Sequence, residues 1–253
     1  MSITIDLSNK TALVTGASQG IGAEIVRTFH RAGAAVVLNH PGLAGTGADA
    51  EAIADGLNAE RPGSALVLAA DVRDPEQVRG MMAAIRDRFG GLDILINNAG
   101  IIRDRTLAKM SLQEWTAVIE TNLSGVFHCC RAGLEVLRDG GSIVNLGSLA
   151  AEAGFHGQAN YAAAKAGVQA LTRVLARECA RRSIRVNAVA PGVINTPMRA
   201  TVAENGREGM IRAIPSQRFG TPAEVAGAVL FLCSELATYV NGHTLAVNGG
   251  WRG

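Results

Sequence analysis

Short apolar runs recur along the whole chain, separated by longer amphipathic stretches. The runs are Lys10–Thr15, Ala34–Leu38, Ser64–Ala70, Leu92–Ile96, Ser142–Leu146, Ile184–Val189 and Thr244–Val247. Each is of strand length, and most lack polar alternation, which predicts strands buried on both faces of a parallel sheet. The stretches between them predict helices: one ending near Arg31, then 48–60, 74–89 and 111–138, one carrying Tyr161, and 221–234. Three of these open on capping patterns: Asp74-Pro75-Glu76-Gln77, Ser111-x-x-Glu114 and Thr221-Pro222-Ala223-Glu224. Strand and helix alternate throughout, with no linker and no repeat. The pattern therefore predicts one doubly wound α/β domain over residues 1–253, with a seven-stranded parallel sheet between helices.

Composition narrows the function classes. Hydrophobic residues make up 48% of 253, enough for one large core. The net charge is +2, too weak to suggest nucleic acid or an anionic membrane as partner. No apolar run approaches the ~18 residues of a membrane span. The start, Met1-Ser2-Ile3-Thr4-Ile5-Asp6, lacks the basic and apolar regions of a signal peptide. Cys129, Cys130, Cys179 and Cys233 show neither a CxxC pair nor metal-ligand spacing. Reduced thiols, no metal and a cytoplasmic location are expected.

Candidate chemistry sits at the ends of the predicted strands. After the first comes Gly16-Ala17-Ser18-Gln19-Gly20-Ile21-Gly22, a glycine turn entering a helix. Glycines allow positive φ and close backbone approach, and the first helical N–H groups suit a pyrophosphate. The spacing is G-x3-G-x-G rather than the commoner G-x-G-x-x-G. The second strand ends at Asn39-His40, where an NAD site places an acid for the ribose hydroxyls. The lack of an acid favours NADP, with NAD still open. Asp71, before Val72, could accept from an adenine amino group or close a turn. Asn98-Ala99-Gly100 follows the fourth strand as a small turn suited to lie beneath a cofactor. Asn122 falls mid-helix, where it either bends the helix and holds water or faces solvent. Ser148 ends the fifth strand. Tyr161 and Lys165 are one helical turn apart on one face. An ammonium beside a phenol, ordinarily of pKa near 10, favours its ionised form and tunes it for proton transfer to a carbonyl or alcohol oxygen. Pro191-Gly192-Val193-Ile194-Asn195-Thr196 follows the sixth strand.

Taken together, these motifs resemble the short-chain dehydrogenase/reductase family in its classical branch, over essentially the whole chain. Thr15-Gly16-x3-Gly20-x-Gly22, Asn97-Asn98-Ala99-Gly100, Asn122, Ser148, Tyr161-x3-Lys165 and Pro191-Gly192 occur in that family's order. The resemblance implies a Rossmann-type sheet of order 3-2-1-4-5-6-7, a homotetramer and a tetrad. Tyr161 would be the acid in ketone reduction, Ser148 would position the carbonyl, Lys165 would bind the nicotinamide ribose, and Asn122 would hold a relaying water. The implied cofactor set is Gly16, Ser18, Gln19, Gly20, Ile21, Gly22, Asn39, His40, Asp71, Val72, Asn98, Ala99, Gly100, Tyr161, Lys165, Pro191, Gly192, Ile194 and Thr196. Asn98–Asp104 and Gly157–Tyr161 are most similar to 3-oxoacyl-acyl-carrier-protein and acetoacetyl-CoA reductases. Two features depart from those enzymes: Ile102 in place of Thr, and a short Arg138-Asp139-Gly140 segment.

The leading expectation is NADPH-dependent reduction of a 3-oxoacyl thioester borne on acyl carrier protein or CoA. A sugar, polyol or steroid alcohol dehydrogenase is the second, and a non-enzymatic dinucleotide sensor the third. A serine hydrolase is excluded, since Leu146 and Ala150 replace the glycines of a nucleophile elbow. The substrate pocket is expected along 150–158 and 192–198, beneath a mobile lid over 198–220. Arg173, Arg177, Arg181, Arg182 and Arg185 crowd the end of the Tyr161 helix. They either satisfy the helix terminus or, through Arg181 and Arg182, attract an acidic carrier near the pocket entrance.

Overall fold

In the computed structural model, residues 4–196 and 204–251 are described, without the side chains of 204–206. The order is β1 Thr11–Val14, α1 Gly20–Arg31, β2 Ala35–His40, α2 Thr46–Glu60, β3 Ala65–Ala69, α3 Pro75–Phe89, β4 Leu92–Asn97 and α4 Leu112–Ile119. Then follow α5 Gly125–Val136, β5 Leu137–Leu146, α6 Ala150–Ala153, α7 Ala159–Glu178, β6 Arg185–Pro191, α8 Glu204–Ala213, α9 Pro222–Cys233 and β7 Thr244–Val247. The strands form one parallel sheet of order β3-β2-β1-β4-β5-β6-β7. This is the expected Rossmann-type arrangement.

Two apolar layers explain the uninterrupted strand runs. Ala12, Val14, Val36, Leu38, Ile94 and Ile96 face α1, α2 and α9. Their neighbours Leu13, Val37, Leu95, Ile143 and Val186 face α3, α5 and α7. Strand side chains alternate in direction, so burial on both faces favours apolar residues at consecutive positions. All three predicted capping patterns form. Asp74 accepts from the N–H groups of Glu76 and Gln77, and Ser111 and Thr221 make reciprocal boxes with Glu114 and Glu224.

Two boundaries differ from expectation. The helix predicted over 111–138 stays helical through a π-turn at Glu120–Ser124 but stops at Val136. Arg138 instead lies in β5, where it donates to Asp93 Oδ2 at 2.6 Å and to the Phe89 carbonyl at 2.7 Å. Leu137 pairs with Leu92, and the register then shifts before Ser142 meets Ile94. Part of the expected lid, 198–203, lies outside the described residues; α8 and the segment after it occupy the remainder. Among the described residues, no helix is long and apolar enough to cross a membrane.

His30, on the last turn of α1, is buried with Nε2 2.8 Å from Ser64 Oγ. Burial lowers its pKa, Arg61 adds to the effect, and Glu60 opposes it. A histidine kept neutral in the fold contributes stability above its unfolded pKa, and that stability is lost as pH falls toward the lower folded value. Urea midpoints at about pH 7 and about pH 5 should therefore show less acid destabilisation in His30→Gln than in the parent. Equal slopes would remove His30 as a source of the acid sensitivity.

Candidate active site

The sheet reverses its direction of winding at β1, whose neighbours are β2 and β4. Open α/β sheets bind ligands at that switch, beyond the carboxyl ends of the strands. A cleft of about 400 Å³ opens there. The glycine turn, Asp71, Val72, Asn98–Gly100, Ser148, Tyr161, Lys165, Pro191, Gly192, Ile194 and Thr196 all line it. Of the sequence-derived site residues, only His40 and Asn122 do not.

Close packing shapes the turn. Gly16 and Gly20 adopt φ of +63° and +58°. A Cβ on Gly16 would lie 2.8 Å from Ala99 Cα, and one on Gly22 would lie 2.5 Å from Asn98 Nδ2. That same Nδ2 donates to the carbonyls of Thr15 and Gly16, each at 2.9 Å. Thr15 Oγ1 in turn accepts from the N–H groups of Asn98 and Ala99. Gln19 places no side chain over the start of α1, and the first turn carries no acid. Its N–H groups and positive dipole end therefore face the cleft unopposed, and the pyrophosphate of a dinucleotide fits them.

At the ends of β2 and β3, the side chains divide differently from expectation. Asn39 is buried and structural: Nδ2 donates to the carbonyls of His40, Leu68 and Ala70, and Oδ1 accepts from Gly16 N–H. The His40 ring turns into the following loop, accepting from Gly42 N–H at 3.1 Å and meeting Thr46 Oγ1 at 3.3 Å. Asp71 takes the turn-closing option. It accepts from the backbone and guanidinium of Arg73, which hold its carboxyl below the usual range. Arg73 itself lines the cleft, a cation that the reading of the strand end missed because it lies beyond β3 rather than β2. Its only sequence signal is its place directly after Asp71-Val72.

The catalytic candidates come from three places: the end of β5, α7 and the π-turn. Ser148 follows β5, and its Oγ accepts from Ala150 N–H at 3.1 Å, which orients the hydroxyl. Tyr161 and Lys165 share a face of α7, with Lys165 Nζ 5.7 Å from the Tyr161 ring centroid. Lys165 is buried and donates to the Leu146 carbonyl at 2.6 Å. Burial lowers its pKa to about 8. Asn122 sits fully buried in the π-turn, which excludes the solvent-facing alternative. It accepts from Ile101 N–H at 2.8 Å and donates to the Ile101 carbonyl at 2.9 Å. Gln158, three residues before Tyr161, also lines the cleft and is tied to Asp104 Oδ2 at 2.9 Å. Among the described residues, no cluster of side chains could hold a metal ion.

Residues 16–252 match the family model described as enoyl-(acyl carrier protein) reductase. The 3-oxoacyl-[acyl-carrier-protein] reductase FabG of Vibrio cholerae is 44% identical over 97% of this chain and 98% of its own. The chain belongs to the short-chain dehydrogenase/reductase family. Two solved structures superimpose closely on this short-chain dehydrogenase/reductase. A glucose/ribitol dehydrogenase from Brucella melitensis gives a TM-score of 0.93 at 36% identity, covering 99% of this chain and 100% of that one. A blue fluorescent protein from a metagenomic library, in complex with NADPH, gives 0.92 at 35%, covering 97% and 99%.

The arginines at the end of α7 lie elsewhere in this short-chain dehydrogenase/reductase. Arg181 is roughly 25–30 Å from Tyr161 along the helix axis. Arg182 donates to the carbonyls of Leu134 and Leu137 and to Asp139, and Arg185 donates to the carbonyls of Leu232 and Ser234. Arg182 and Arg185 thus satisfy the carboxyl ends of α5 and α9 rather than that of α7, and within this chain neither Arg181 nor Arg182 flanks the cleft entrance.

The setting of Lys165 can be measured directly. In the unliganded protein its Nζ resonance, observed in isotope-labelled lysine and assigned by its loss in Lys165→Met, should titrate near 8. Titration at the ordinary value of about 10.4 would contradict the dry environment described above.

Proposed function

We propose that this protein is an NADPH-dependent reductase of 3-oxoacyl thioesters. The observation that carries the reading is the convergence of Ser148, Tyr161 and Lys165 in one cleft with an uncapped α1 terminus. A bound nicotinamide dinucleotide would supply the hydride. The uncapped terminus would hold its pyrophosphate, and Lys165 its ribose. Ser148 donates to the substrate carbonyl and fixes its position. Tyr161 delivers the proton to the same oxygen, favoured by the positive charge of Lys165 beside it. Asn122, with both amide atoms engaged by Ile101, holds the π-turn beside the cleft. Relatives named as 3-oxoacyl-[acyl-carrier-protein] reductases, at 44–45% identity over nearly the full length, support the thioester substrate.

The cofactor preference rests on charge. No acid at the end of β2 opposes a 2′-phosphate, and Arg73, paired with Asp71, lines the same cleft and can share its guanidinium with one. A homotetramer is part of the proposal. Exposed Leu112, Trp115 and Phe127 on α4–α5, with Val174 on α7, offer apolar area for it. The name of the Brucella relative favours a polyol as the second reading.

A panel tests both readings: a 3-oxoacyl carrier-protein thioester, acetoacetyl-CoA and ribitol, each with NADP(H) and NAD(H). The thioesters with NADPH should give the highest kcat/KM. Ribitol oxidation outrunning thioester reduction would overturn the substrate, and an NADH preference would overturn the cofactor. Tyr161→Phe keeps the ring and removes the acid. Its kcat should fall at least about a hundredfold with NADPH binding retained. Near-normal turnover would sink the proton-transfer role. Arg73→Ala should cut the NADPH-over-NADH preference by about tenfold, the scale of one charged contact to a phosphate.

A further inference from the structure

A second cavity, of about 480 Å³, adjoins the catalytic cleft and shares Phe155, Gln158 and Val193 with it. Beyond these, its walls include Met210 and Ala213 of α8 and Trp251 near the carboxyl end of the chain. The volume is that of a small-molecule site. The Phe155 ring meets Trp251 edge to face, with centroids 5.2 Å apart and planes at 68°. Such pairs add attraction beyond the area they bury. Trp251 is itself anchored: its carbonyl accepts from Asn248 Nδ2 at 2.8 Å, and its N–H donates to the Asn248 carbonyl. The indole is thus held against the loop that follows Ser148, although it lies far from it in sequence.

We propose that this cavity receives the hydrocarbon tail of the substrate, and that the Phe155–Trp251 pair sets the longest chain accepted. This rests on the thioester reading. With the reacting carbonyl between Ser148 and Tyr161, the shared wall at Phe155 is the way into the cavity. Val193, Met210, Ala213 and the two rings favour methylenes over polar groups. His156 contributes at an exposed edge.

The test compares kcat/KM for acetoacetyl and 3-oxododecanoyl thioesters of one carrier. Trp251→Ala should raise the long-to-short ratio by about tenfold or more, through KM, as expected for opening an apolar pocket by several methylenes. Trp251→Phe, which keeps a ring against Phe155, should stay near the parent ratio. NADPH affinity serves as the check on folding. An unchanged ratio in a Trp251→Ala protein that binds NADPH overturns the proposal. A second measurement does not depend on turnover. Trp115→Phe leaves Trp251 as the only tryptophan. Its emission should respond to long 2-alkanones and not to butanone. A silent Trp251 overturns the cavity assignment. A responsive Trp251 in an enzyme that reduces no 3-oxoacyl thioester overturns the thioester reading and leaves the apolar cavity standing.

Discussion

The site depends on how tightly the glycine turn is drawn onto the end of β4. Asn98 does this with a single amide nitrogen shared between two carbonyls of the turn. The approach is so close that Gly16 and Gly22 leave no room for a Cβ. Asn39 holds the other side of the turn and joins the end of β2 to the end of β3. Each of these amides satisfies carbonyls that would otherwise be stranded, at a cost of about 1–3 kcal/mol apiece. The free N–H groups of α1 are left for a ligand because the surrounding backbone is already satisfied.

Burial sets the chemistry on the opposite wall. Lys165 is pressed into the protein with the Leu146 carbonyl as partner, and its proton is loosened by desolvation rather than by a neighbouring cation. Beneath it a buried polar chain runs from Asn97 to Asn145 to Thr172 and on to the Val168 carbonyl. It ties β4 and β5 to α7, so the helix that carries Tyr161 and Lys165 is registered against the strands. Asn122 depends on the π-turn, whose irregular hydrogen bonding places an amide fully inside the protein, against Ile101.

Elements whose signal is local were legible in the chain. Seven apolar runs became seven strands because both faces of this sheet are covered. Three capping patterns became three helix starts because a cap involves residues only three apart. The end of β5 nearest α5 was not legible. Arg138 continues a helical pattern, and its distant partners Asp93 and the Phe89 carbonyl draw it into the sheet instead.

The sequence by itself therefore determined the doubly wound architecture, through the short-range periodicity of its apolar runs and helix caps. The family resemblance of its motifs supplied the sheet order and a set of site residues, of which all but His40 and Asn122 line the switch-point cleft. Only the tertiary structure decided what each polar side chain does there. It turned His40 away from the cleft, committed Asn39 and Asp71 to backbone and to Arg73, and placed Arg182 at a helix end far from Tyr161. It also brought Trp251 against Phe155. A polar or aromatic side chain takes whichever partner the packed fold brings within reach, and partners far apart in sequence become neighbours only when the sheet has formed.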